Sequence, residues 1–404
     1  VPQPVPDEQE EKALKPASSI PTGLPTPDAE AQAHQQAVEH YLTQQIQTSA
    51  SAFLPFEQWM DLALYAPGLG YYAAGSTKFG SALPTGDFTT APELTPLFAQ
   101  TLARQVAQVL QASDTCTVLE FGAGSGAMAA AMIPALRELG LQPVYQILEV
   151  SGDLQQRQRQ RLASFGDAVQ WLTSLPKEFA GCILANEVLD AMPTMLFSWN
   201  EQGELQELGV RLAPTDASDV TASPFEFAQR LATSQLHDIV AQRMPPLPGY
   251  QSELNLRAEA WIKEMGTWLK RGAALLIDYG FPQHEYYHPQ RAEGTLMCHY
   301  RHHAHAQPLL YAGLQDITAH VDFTAMADAA LEGGLDVLGY TSQARFLMNA
   351  GLPELLTSEP QTLSAVQKLL SEAEMGELFK VLAIGRGINQ PLLGFIRGDR
   401  RDRL

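Results

Sequence analysis

One stretch limits what this chain can fold into more than any other. An apolar run, TVLEF at 117–121, passes without a break into GAGSG at 122–126, and a helical pattern of apolar residues follows over 127–139. The run reads as a buried strand and the pattern as a helix. Glycines let the turn between them pass without a Cβ and let a ligand approach the backbone, while the helix start behind them offers unpaired N–H groups. The surrounding chain repeats the alternation: strands at 144–150, 169–172 and 182–185, with a helix at 154–165 between the first two. A β-α-β order of this kind builds an α/β fold around a parallel sheet.

Two acids turn the loop into a candidate ligand site. Glu120 stands one residue before the end of the first strand. Glu149 closes the next one, about 20 residues beyond Gly126, where an acid accepts both hydroxyls of a ribose. That placement serves NAD and S-adenosylmethionine alike. The loop reads E-x-G-x-G-x-G, with Gly122, Gly124 and Gly126, and lacks the third glycine at the dinucleotide spacing. S-adenosylmethionine carries no pyrophosphate, and its ammonium suits an acid beside the turn. The residues therefore favour a methyl donor over NAD. A plain tight turn, and a solvated or helix-capping Glu120, remain the alternatives.

Further along, a strand is expected at 205–212, a Pro-, Ser- and Asp-bearing insertion at 213–250, and a helix at 253–270 with Trp261, Met265 and Leu269 spaced by four. Strands at 273–279, 336–340 and 379–384 and helices at 323–331 and 344–350 complete the pattern. Ahead of the glycine loop, helices are expected at 33–47, 53–65 and 94–110. Trp59, Trp261 and Trp268 fall on helical faces and read as core.

The chain has 404 residues and a formal net charge of −19. That field repels phosphate backbones and excludes a non-specific nucleic-acid binder; it suits a basic partner, or solubility alone. Three cysteines form no CxxC pair, which argues against a disulfide scaffold and a structural zinc. The histidines at 299, 302, 303 and 305 lack the partners of a tetrahedral set, so no metal is expected. Residues 1–32 have no apolar h-region and no arginine and read as a disordered tail rather than a transit peptide. No apolar run is long enough to span a bilayer. A cytoplasmic protein of bacterial type is expected, with a helical lobe and cofactor lid at 33–112 and a core at 113–404. The core carries an insertion at about 200–252 and a substrate-side segment at about 281–322. The lobe and residues 213–250 are candidate homodimer interfaces.

Several motifs occur together: GYY at 70–72, GDFTTAPELTPLF at 86–98, LEFGAGSGAMA at 119–129, YQILEVS at 145–151 and NEVLDAMP at 186–193. IDYG at 277–280, GTLMCHYR at 294–301, DITAHVDF at 316–323, TSQARFL at 341–347 and MGELFKVLAIGRG at 375–387 follow. In combination the chain resembles the S-adenosylmethionine-dependent methyltransferase family that includes the mitochondrial complex I assembly factor with protein-arginine methyltransferase activity, and its bacterial relatives. The resemblance implies a class I methyltransferase (Rossmann-like) fold, a seven-stranded, mostly parallel sheet with added helical elements. It implies S-adenosyl-L-methionine as cofactor and a protein acceptor. It also places the loop with Gly86, Asp87, Phe88, Thr89 and Glu93 over the cofactor, although Asp and Thr side chains can equally fix such a loop themselves.

Methyl transfer from a sulfonium is an in-line displacement governed by alignment. An arginine acceptor needs carboxylates that pair with the guanidinium and orient it. Glu187 and Asp190, after the fourth strand, are the candidates; helix capping or a core arginine is the alternative. Asn186 faces either the donor's amino-acid end or the acceptor. Asp278 and Tyr279 close the fifth strand at the edge where open α/β sheets bind ligands, with Asp278 pairing either a substrate cation or Arg301. Glu253 resembles an acidic position of the family and is a further candidate on the acceptor side. A methyltransferase for a small molecule or another side chain, and a non-catalytic assembly factor that retains the fold, are the competing functions.

Overall fold

The structure is a computed structural model that describes residues 21–74, 90–214, 223–357 and 359–404. Most of the expected tail, and the loop residues Gly86, Asp87, Phe88 and Thr89, lie outside the described residues.

Seven strands form the main sheet: β1 (Thr117–Phe121), β2 (Val144–Leu148), β3 (Val169–Leu172), β4 (Phe179–Asn186), β5 (Leu269–Phe281), β6 (Asp336–Ser342) and β7 (Phe379–Arg386). Their spatial order is β6-β7-β5-β4-β1-β2-β3, and the short strand Val321–Asp322 adds to the end of β5. β1 to β5 run parallel, and β7 runs antiparallel between β5 and β6. β4 and β5 are nearly continuous apolar runs because helices cover both faces. On one face the helices Pro96–Ser113 and Ala127–Glu138 bury Leu102, Val106, Met132 and Ile133. On the other, Leu256–Trp268 and Phe323–Glu332 bury Ile262, Met265, Phe323 and Met326. β1 has β4 on one side and β2 on the other, so strand order reverses there. A crevice opens at such a point beyond the carboxyl ends of the strands.

The first helix starts at Ala29, inside the expected tail, because the Asp28 carboxylate caps it by accepting from Ala31 N at 3.0 Å. This helix and Phe56–Tyr65 pack on a second, antiparallel sheet made of Leu54–Pro55, Met195–Trp199, Leu205–Leu212, Phe225–Leu231 and Gln251–Leu254. Leu42, Phe56, Trp59, Leu208 and Phe225 fill the space between. Within the expected insertion, Phe225–Leu231 is a strand of this sheet and Ser234–Arg243 is a helix. The Pro96–Ser113 helix, expected with the lobe, instead belongs to the main core. The single helix expected at 253–270 divides at Asn255, whose side chain accepts from Ala258 N and starts the helix after a strand. A third sheet joins Met297–Tyr300 to His303–His305 and Asp316–Thr318. Among the described residues, no helix is long and apolar enough to cross a membrane.

Candidate functional site

A cavity of about 780 Å³ lies over the carboxyl ends of β1, β2, β4 and β5, within the range of small-molecule sites. Its floor is the glycine loop. Gly122, Gly124 and Gly126 take φ of +60°, +53° and +80°, which side chains with a Cβ adopt only at a cost of about 1–2 kcal/mol each. Gly126 caps the helix Ala127–Glu138, whose first N–H groups lie behind the loop. Glu149 lies just beyond β2, buried, with one carboxylate oxygen accepting from Ser151 N at 3.0 Å and the other from Gln158 Nε2 at 3.1 Å. The same Gln158 amide donates to Gly124 O at 2.8 Å and so fixes the loop relative to the acid. Burial raises the Glu149 carboxyl, and the Ser151 N–H opposes that rise.

Glu120 is neither solvated nor a cap. It is 1% exposed and accepts from the Tyr145 hydroxyl at 2.7 Å. Burial pushes its carboxyl up to about 7, with the Tyr145 bond opposing. Glu93 accepts from Ser125 Oγ within the loop and pairs with Arg161 at 3.5 Å.

The opposite end of the cavity is acidic. β4 ends at Asn186, and Glu187 follows at φ +53°, a conformation that costs energy outside glycine and concentrates at functional positions. Its N–H donates to Ile277 O at 2.9 Å, tying the turn to β5. Asn186 Nδ2 donates to Glu187 Oε1 at 3.0 Å, which leaves Asn186 Oδ1 buried with no partner. Burial, then the charge of Asp190, pushes the Glu187 carboxyl up to about 8. Asp190 accepts from the Tyr279 hydroxyl at 2.5 Å through Oδ2, while Oδ1 is buried without a partner. Its carboxyl is raised by burial, an effect the Tyr279 bond opposes.

Two expected acceptor residues stand elsewhere. Asp278 accepts from Leu189 N and Asp190 N at 3.0 and 3.3 Å and from Tyr279 N at 3.0 Å. It anchors the acid loop and does not line the cavity; Arg301 pairs with Asp28 instead. Glu253, fully buried, accepts from Thr295 N, Thr295 Oγ1 and Leu296 N and holds the turn before Met297–Tyr300. Both fix backbone next to residues that line the cavity.

The cavity also contains residues that carried no role in the sequence. Trp261, expected in the core, is half-buried and lines it, edge-on to Phe121 at 5.0 Å. Tyr65, Tyr72, Asp316, Thr318 and His320 line it too. Tyr72 and Asp316 lie in motifs of the resemblance, and the alternation of Asp316 with Thr318 about buried Ile317 was a readable signal of a wall.

A family model for S-adenosyl-L-methionine-dependent methyltransferases matches residues 101–341, and the chain belongs to that family. The class I fold expected from the sequence is the fold observed. Among solved structures, a Burkholderia thailandensis protein bound to S-adenosyl-homocysteine is 47% identical, with a TM-score of 0.86 over 94% of this chain and 100% of its own. Among curated relatives, the Drosophila melanogaster protein arginine methyltransferase NDUFAF7 homolog is 26% identical across 85% of each chain. The human protein arginine methyltransferase NDUFAF7 is 26% identical across 81% of this chain and 79% of its own.

The residues present fit the family's donor. Gly122 and Gly124 line the cavity without a Cβ, Glu149 stands beside them just past the end of β2, where an acid suits a ribose, and the unpartnered Asn186 Oδ1 suits an ammonium. When bound, S-adenosyl-L-methionine supplies an electrophilic methyl group on a sulfonium.

Proposed function

We propose that this methyltransferase modifies arginine side chains of a basic protein acceptor, with Asn186, Glu187 and Asp190 as the residues that meet the reacting groups. The observation that carries this reading is a pair of buried acids beside the donor cradle, one of them with an unpartnered oxygen, and no cation paired to either among the described residues. Buried acids without a cation are costly, and a guanidinium offers both charge and paired donors. Asp190, oriented by Tyr279, holds one edge of the guanidinium. Burial and Asp190 hold the Glu187 carboxyl protonated near neutral pH in the ligand-free protein; pairing with the cationic guanidinium drives that proton off to solvent, and the carboxylate then takes the proton that the acceptor nitrogen gives up. Gly122, Gly124, Gly126, Glu120, Glu149 and Glu93 hold the donor, the first five around its nucleoside and amino-acid ends and Glu93 by closing on Ser125. The curated relatives, named protein arginine methyltransferases, support the same acceptor.

The test is incubation of the full chain with methyl-labelled S-adenosyl-L-methionine and arginine-rich protein, then acid hydrolysis of the product. Labelled methylarginine supports the reading. Label confined to a small molecule or to other side chains, or no binding of S-adenosylhomocysteine by calorimetry, rejects it.

A further inference from the structure

We infer that Asp316 is a third carboxylate of the acceptor end and sets its preference for a planar guanidinium over a lysine ammonium; this rests on the proposed arginine chemistry. The strand Asp316–Thr318 alternates faces. Ile317 is 1% exposed and packs into the N-terminal core, whereas Asp316 and Thr318 line the cavity. Their cross-strand partners, His299 opposite Asp316 and Met297 opposite Thr318, line it as well, so one face of this small sheet is a wall of the site.

The wall is fixed to the acid loop at two places. Ala319 N donates to Asp190 O at 3.0 Å. Tyr72 donates to Asp316 Oδ1 at 2.8 Å and stacks on Tyr65 at 5.4 Å, and the Tyr65 hydroxyl donates to Ala191 O at 2.9 Å. Asp316 therefore shares a cavity with Glu187 and Asp190 at a set position, beside two aromatic rings. Its charge helps to raise the Glu187 carboxyl, so the acids share one field.

A third acid changes which cation fits. Glu187 and Asp190 each give one oxygen to a neighbour, Asn186 and Tyr279. An ammonium is a compact charge with three donors, which two such acids can satisfy. A guanidinium spreads five donors around a plane and presents a further edge. Asp316 takes that edge, and the tyrosine rings suit a flat cation.

The test compares Asp316→Asn and Tyr72→Phe with the wild-type chain on arginine-rich and lysine-rich peptides of matched sequence. For Asp316→Asn, kcat/KM on the arginine peptide should fall about 10-fold or more, as for loss of a charge-assisted pair, mostly through KM. Transfer to the lysine peptide should stay within about 2-fold, and S-adenosylhomocysteine affinity should be unchanged. Tyr72→Phe keeps the ring and should move in the same direction by about 3-fold. Equal losses on both peptides, a changed donor affinity or no loss would overturn the proposal. So would a matching loss in His299→Gln, which would make Asp316 a partner of that histidine. A wild-type chain that labels no arginine peptide would overturn the reading under Proposed function and this one with it.

Discussion

Glu187 combines a backbone conformation suited to glycine with a carboxyl that burial, then Asp190, pushes from 4.5 up to about 8. The folded chain thus binds this proton more tightly than the unfolded chain does. Its contribution to stability is complete below about 4.5 and is lost as pH rises through about 8. In the ligand-free protein, Glu187→Gln should therefore raise Tm at pH 8.5 by at least ~2 °C and change it little at pH 4.5. Thermal scans across that range check the sign, and the same variant should lose methyl transfer. The place of Glu187 and Asp190 in the cavity was legible because both follow the fourth strand directly. Asp278 and Glu253 are the same kind of residue in equally suggestive places. What separates them is where their hydrogen bonds go, and backbone N–H partners from residues 189, 190, 295 and 296 are invisible in a linear sequence.

The glycine loop is the element on which both halves of the site meet. A Cβ at Gly122 would lie 3.2 Å from Val188 Cγ2, in the acid loop, and would have to take φ +60°. Gly122→Ala should lower S-adenosylhomocysteine affinity by about 10-fold and stability by about 1 kcal/mol, measured by calorimetry and denaturant titration. β1 and β3 were readable to the residue: β1 is a mostly apolar buried run that ends on the glycine turn, and β3, a half-exposed strand at the sheet's edge, keeps Val169, Trp171 and Leu172 as its signal. Of the second sheet, only Leu205–Leu212 was as readable. Phe225–Leu231 carries an alternating FEF start, yet its second half is exposed and charged, so the period fades before it can be told from a loop. The strand Gln251–Leu254 was hidden by the helix that follows it three-dimensionally as well as in sequence, with only Asn255 marking the break.

At the scale of the whole molecule, the net charge of −19 gains a direction from an acid-lined cavity. Such a field speeds the approach of a basic acceptor and is screened by salt. Raising ionic strength from ~0.05 to ~0.3 M, which shortens the screening length below ~10 Å, should cut kcat/KM for a basic protein several-fold while the affinity for S-adenosylhomocysteine changes little. Salt-independent capture would leave the charge as a matter of solubility. The proposed acceptor end draws on Tyr65 and Tyr72 before the main sheet, Asp190 after β4, and Asp316 between β5 and β6. No local pattern announces that these meet, because tertiary closure brings them together. The proposed donor end, by contrast, comes mainly from β1, β2 and the turns that follow them, with Glu93 and Asn186 added from outside. This division separates the reagent from its target. Descendants of such a chain can rewrite the small sheet at Met297–Tyr300 and Asp316–Thr318, and so change what they modify, while inheriting the methyl-handling half intact.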